Sequence, residues 1–179
     1  MSVFNIKSTV IANRDATPKV LTDSIFATAR SKEVYGTNLL PTTSDVASTV
    51  KLCAVPSRAR VAALDYTAVA LGTSSLDIAV WYPTTIQSGG GNFLAQSLAG
   101  TLISSSAFAT AIAGVDTGLA FTDGLPAVTA ANALPKRTQP LWQFLGLATD
   151  PEMDLDLGFS VRTTNSISGY VGLRVRFVD

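Results

Sequence analysis

Apolar and polar side chains alternate most regularly late in the chain. Leu155, Leu157, Phe159 and Val161 alternate with Asp154, Asp156, Gly158, Ser160 and Arg162. Val171, Leu173, Val175 and Phe177 alternate with Tyr170, Gly172, Arg174 and Arg176. A period of two predicts half-buried strands. The link Thr163–Gly169 is rich in turn formers, so the pattern predicts an antiparallel hairpin. With Phe159 opposite Leu173 and Val161 opposite Val171, Asp156 falls opposite Arg176 on the outer face. Apolar and charge patterns then select the same register.

Upstream, Val46, Val50, Leu52 and Ala54 line one face of another expected strand. Val61 to Leu71 and Leu76 to Tyr82 read as two more, joined by Gly72-Thr73-Ser74-Ser75. Val34 to Leu39 is short and extended, and Val128 starts a further candidate. Val3 to Ile11 reads as a strand or an extended arm, whereas Leu21 to Ala29 is ambiguous. Leu94, Leu98 and Leu102 recur every fourth residue, as do Phe108 and Ile112, which suggests two short helices. Pro140 to Gly146 reads as a helical turn, with Pro near its start and Gly at its end. Short strands punctuated by Pro and Gly predict an all-β sandwich or barrel. The expected division is residues 1–30 as an N-terminal strand or arm and 31–179 as the β domain.

Composition narrows the function. The chain of 179 residues has no His and one cysteine, Cys53. His-dependent nucleophilic catalysis, intrachain disulfides and Cys/His metal clusters are thereby excluded. The N-terminal residues lack a signal-peptide core, and no apolar run is long enough to span a membrane. A soluble protein made in the cytoplasm is expected. Only 15% of residues are charged, while Ser and Thr number 38 and Ala 24. Such a surface tolerates being covered by other protein. Residues 1–60 carry eight basic and four acidic groups, and 61–135 carry four Asp and no Lys or Arg. The basic residues form no dense patch, so no nucleic-acid partner is expected.

Candidate chemistry is sparse. Asp150, Glu152, Asp154 and Asp156 form the one carboxylate series. It lacks the Gly and Glu of an EF-hand loop. A metal site or a catalytic carboxylate pair is the less favoured reading of these residues. Asp154 and Asp156 are expected on an outer strand face, neutralised by Arg174 and Arg176. Gly89-Gly90-Gly91 is not followed by the Lys-Ser or Lys-Thr of a phosphate loop. Cys53 is expected as a buried thiol. Trp81, Tyr82 and Trp142 suit core or interface packing better than a sugar platform. No enzyme, cofactor or metal is expected.

One ordered set of motifs points further. Val34-Tyr35-Gly36-Thr37 comes first, followed by Val55-Pro56-Ser57-Arg58-Ala59-Arg60-Val61. Leu141-Trp142-Gln143-Phe144-Leu145-Gly146-Leu147-Ala148-Thr149-Asp150-Pro151 follows, and then the two alternating segments. This order resembles a family of small structural proteins of tailed bacteriophages, several of them capsid decoration or cement proteins. The resemblance covers about residues 34–178; the Ala/Ser-rich stretch 94–133 departs from it. It implies a jelly-roll-like antiparallel β-sandwich with one or two short helices. It further implies a place on the outer surface of the virion head, where the protein bridges major capsid protein subunits.

Other copies of the chain, as dimer or trimer, are the second expected partner. Position and charge select Ser2, Phe4, Lys7, Arg14, Lys19, Arg58 and Trp142 as contacts with capsid or with another copy. The segment Ser2–Arg14 is expected to leave its own sandwich as an arm. The rivals are a tail or head-fibre component and a carbohydrate-binding sandwich using Trp81, Tyr82 or Trp142.

Overall fold

The alternating segments do form strands, but not a hairpin. In the computed structural model β9 (Asp154–Val161) and β10 (Gly169–Val178) lie in different sheets. The model describes residues 5–7, 12, 31–42, 44–69, 71–72, 74–84, 96–105, 107–113, 122–125, 138–164 and 168–178. The other strands are β1 (Asn5–Lys7), β2 (Ser31–Leu40), β3 (Thr49–Pro56), β4 (Arg60–Val69), β5 (Ser75–Trp81), β6 (Leu102–Ser104), β7 (Ile112–Ala113) and β8 (Thr122–Asp123). A single turn of α-helix, α1 (Leu141–Phe144), precedes β9.

Among the described residues, one sheet runs β2-β10-β4-β8 and the other β1-β3-β9-β5-β6, with β7 also on β5. From β2 to β5 the chain alternates between the sheets, and it does so again from β9 to β10: β2, β4 and β10 lie in one, and β3, β5 and β9 in the other. This is jelly-roll connectivity in a two-layer sandwich. Pairing is antiparallel except for β1, which runs parallel to β3.

The hairpin expectation fails because the link after β9 crosses between layers instead of turning back in one. Phe159 therefore lies between Val50 and Ile78 in its own sheet. Leu173 lies between Gly36 and Tyr66 in the other. Their apolar faces meet across the interior: Leu155, Leu157, Phe159 and Val161 from one layer, and Val171, Leu173, Val175 and Phe177 from the other, are all buried. Burying one such side chain contributes about 1.5–3 kcal/mol.

Two local features adjust the layers. The β3–β9 register slips between Lys51 and Cys53, so Leu52 is the extra residue of a bulge. Past the bulge the alternation inverts. Cys53 pairs with Leu157 of the core row, and Ala54 pairs with Asp156, so Ala54 does not share a face with Val50 as expected. Val46 also drops out, exposed in the turn before β3 beside Ala47 at φ 71°. The second feature is a close approach of the sheets at Gly36. A Cβ there would collide with the carbonyl oxygen of Leu52, which is why the Tyr35-Gly36-Thr37 motif needs glycine.

The stretch read as two helices is otherwise. Gln96–Leu98 is a short 3-10 turn, Leu102 opens β6, and Ile112 opens β7. Leu94, Leu21–Ala29, the glycine run and Val128 lie outside the described residues. β1 stays on its own sheet, with Asn5, Ile6 and Lys7 paired to Thr49, Val50 and Lys51. At these residues the chain does not leave the sandwich as the arm expectation required. No helix among the described residues is long and apolar enough to cross a membrane.

Candidate functional site

Two of the recognised motifs are distant in sequence and meet at one end of the sandwich. Pro56 to Ala59 turns the chain from β3 into β4, with Ala59 N–H donating to the Pro56 carbonyl at 3.0 Å. Onto this turn docks α1. Leu141 N–H donates to the Ala59 carbonyl at 2.8 Å, and Trp142 N–H to the Ser57 carbonyl at 2.9 Å. Ser57, 1% exposed, spends every polar group here. Its N–H donates to the Met153 carbonyl at 2.8 Å, and its hydroxyl donates to Asp150 Oδ1 and accepts from Met153 N–H. The same Asp150 oxygen accepts Glu152 N–H at 2.8 Å.

The helical turn is closed as its sequence foretells. Gly146 takes φ +74° and Leu147 N–H returns to the Trp142 carbonyl at 3.0 Å. Phe144 stacks on buried Phe108 with centroids 5.1 Å apart, tying this knot of hydrogen bonds to the connection between β6 and β7. Buried backbone groups satisfied this fully make a rigid platform. Its surface presents exposed Arg58 and half-buried Trp142.

The structure thus joins two of the expected contact residues, Arg58 and Trp142, through the Ser57–Trp142 backbone bond. Lys7 lies elsewhere, half-buried in β1 beside Lys51, its carbonyl accepting Asn38 Nδ2 at 2.9 Å. Ser2, Phe4, Arg14 and Lys19 fall outside the described residues.

The carboxylate series does not converge. Asp150 serves the knot, Asp154 is exposed, and Asp156 is fully buried on the outer face of the six-stranded sheet. Its partner is Lys51 Nζ at 3.3 Å, not Arg174 or Arg176. Those arginines lie in the other sheet, where Arg174 donates to Asp65 from Nε at 3.1 Å and Nη2 at 2.8 Å. Among the described residues no cluster of His, Cys, Asp or Glu could hold a metal ion.

Trp81 is only 3% exposed and stands 5.7 Å from Lys51 Nζ, so it cannot offer a sugar-stacking face. Tyr82 and Trp142 are half-buried. Cys53 is buried as expected, with Sγ 3.4 Å from the Leu173 carbonyl. Burial pushes its thiol up to about 12, against a smaller lowering by a backbone hydrogen bond from Gly36.

Sequence reasoning missed Lys51. Its signal was a lone cation between Val50 and Leu52 in an apolar strand. Burial of such a residue requires a partner, and that partner, Asp156, lies a hundred residues away on β9.

No protein-family model matches the chain, and no curated protein shows significant similarity. A chain of the cyanophage Pam1 capsid asymmetric unit aligns over 92% of this chain and 96% of its own, at 14% identity and a TM-score of 0.45. Likeness at that level carries no argument about what this chain does.

Proposed function

We propose that the chain is a non-enzymatic virion protein of a tailed phage, a decoration or cement protein docking on the outer head surface. The observation that carries this reading is the knot. The motifs through which the sequence resembles phage decoration proteins are separated by about eighty residues and yet form one hydrogen-bonded unit. That unit presents Arg58 and Trp142 together. Arg and Trp are enriched among residues that dominate interface energy, and a rigid mount lowers the entropy of docking. The weakly charged, Ser/Thr/Ala-rich composition suits a surface that is covered in use. Bridging adjacent major capsid protein subunits adds buried interface at a seam, and many copies multiply a modest energy per site. Self-association as dimer or trimer belongs to the same reading.

The test is co-sedimentation with expanded and unexpanded capsids of the cognate phage, with tails as control. Saturable binding to expanded shells is expected. Trp142→Ala, with its strand signal intact by circular dichroism, should weaken binding by roughly thirtyfold, as expected of an interface anchor. Arg58→Ala should weaken it less. Binding to tails alone would move the chain to a tail or fibre role, and binding to neither would overturn the proposal.

A further inference from the structure

Exposed apolar side chains gather on the outer face of the four-stranded sheet. Among the described residues six large apolar side chains are exposed, and four of them, Tyr35, Leu39, Tyr170 and Val178, lie on this face of β2 and β10. Tyr170, in the central strand, is 61% exposed. We infer that two copies of the chain pair through this face, sheet against sheet about a two-fold axis.

The register makes the face complementary to itself. Thr37, Gly172 and Thr67 form one row across β2, β10 and β4. A Cβ on Gly172 would press on the methyl of Thr67 at 2.7 Å and on that of Thr37 at 3.2 Å, so this row is filled flush with small groups. On one side of it stand Leu39, Tyr170 and Val69, and on the other Tyr35, Arg174 and Asp65. A two-fold axis along the low row sets Leu39 over Tyr35 of the second copy, and Tyr170 over Arg174 of the second copy. The first is an apolar contact and the second a cation–π contact, and the symmetry makes each of them twice. Asp65 is held by Arg174 at 2.8 Å within its own chain, so covering it strands no single charge.

Charge and area favour a second copy over another partner. On this face Arg60, Arg174 and Arg176 are matched in number by Glu33, Asp65 and Asp123. A strongly acidic or basic partner gains no steering from such a balance, whereas an identical face meets no net repulsion. β2, β4 and β10 are each ten residues long. At about 4.8 Å between strands and about 3.3 Å per residue they cover roughly 500 Å² in plan. A standard interface buries about 800 Å² per partner and a weak one less, so the face suits a reversible dimer.

Self-association is part of the proposed function; the pairing rests on and deepens that part alone, so it is tested without capsids. Sedimentation velocity over a concentration series should show a monomer–dimer equilibrium. Tyr170→Asp should weaken dimerisation by roughly thirtyfold or more, the loss of an interface anchor. Leu39→Ser should weaken it less. Both side chains are exposed in the single chain, so the strand signal by circular dichroism should persist. Val46→Asp and Leu102→Asp change exposed apolar residues away from this face and should leave the equilibrium as it is. A monomer at every concentration, a trimer, or a dimer indifferent to both Tyr170→Asp and Leu39→Ser would overturn the assignment. A monomer whose capsid binding is lost in Tyr170→Asp would give this face to the shell instead. A dimer that ignores capsids would keep the pairing and remove the docking proposal.

Discussion

On the six-stranded sheet, Lys51 meets Asp156 at 3.3 Å with side chains 8% and 0% exposed. On the four-stranded sheet, Arg174 meets Asp65 at 2.8 Å with side chains 32% and 15% exposed. Both pairs sit on outward faces of the same sandwich, and both join residues on different strands. One is dry; the other is wet, with Arg176 also approaching the same Asp65 oxygen at 4.0 Å. The wet pair shares its face with the exposed side chains Tyr35, Leu39, Tyr170 and Val178, and helps keep that face hydrated in the single chain. The dry pair gains most of its attraction only after a desolvation cost of comparable size. The difference teaches that an ion pair's position relative to water, more than its length, decides whether its loss matters.

The largest expected effect comes from breaking the dry pair on one side. Asp156→Ala or Lys51→Ala should each lower stability by about 3–5 kcal/mol, because the remaining charge is stranded out of water. Lys51→Met with Asp156→Leu should recover most of that loss. Urea denaturation of the three variants checks it, and full stability in either single variant would place the pair in water after all.

An intermediate effect sharpens the comparison from the interior side of β3. The bulge at Leu52 turns Cys53 inward, where burial pushes its thiol from an ordinary 9.0 up to about 12. Above pH 9 the unfolded chain sheds this proton while the folded chain keeps it, so stability present below pH 9 is lost as pH rises toward 12. At pH 10.5 the loss should be on the order of 2 kcal/mol. It is read as the difference between the parent protein and Cys53→Ala in parallel pH series. Parallel curves would mean that Cys53 faces solvent and that the bulge is absent.

The smallest effect belongs to the wet pair. Arg174→Ala or Asp65→Ala should cost about 1 kcal/mol or less, and high salt should shrink the difference further. Thermal melts at low and high salt check both statements.

Much of this was legible in sequence, and the misses have physical causes. The period-two segments became β9 and β10, and the Pro140–Gly146 pattern became α1 with Gly146 at positive φ. β9 and β10 do not pair, because closeness in sequence is not closeness in a sheet. In this jelly roll the chain changes layers between β9 and β10. The Asp156–Arg176 complementarity was a coincidence that two separate patterns could produce.

The fourfold recurrence of leucines around 94–102 misled for another reason. Residues four apart share a face on a strand as well as on a helix, so the spacing does not separate the two. The Val46 to Ala54 face failed at both ends: Val46 lies in the turn before β3, and alternation carries no sign of the bulge that turns Ala54 away. At the candidate site, the motifs marked Arg58 and Trp142. The Trp142–Ser57 backbone bond that brings their segments together, and the pairing of Lys51 with Asp156, depend on distant partners that no local pattern encodes.

The strand order also governs when the chain can fold. β10, at residues 169–178, is the shared neighbour of β2 and β4, and β9, at 154–161, is the shared neighbour of β3 and β5. The centre of each sheet is thus the last strand of that sheet to be synthesised. During translation β2 to β5 wait with unpaired edges, and closing such long loops makes folding slow. A nascent chain halted before Gly169 holds both flanking strands of the four-stranded sheet without the strand that joins them. Chaperone occupancy on the ribosome should therefore persist until β10 has emerged.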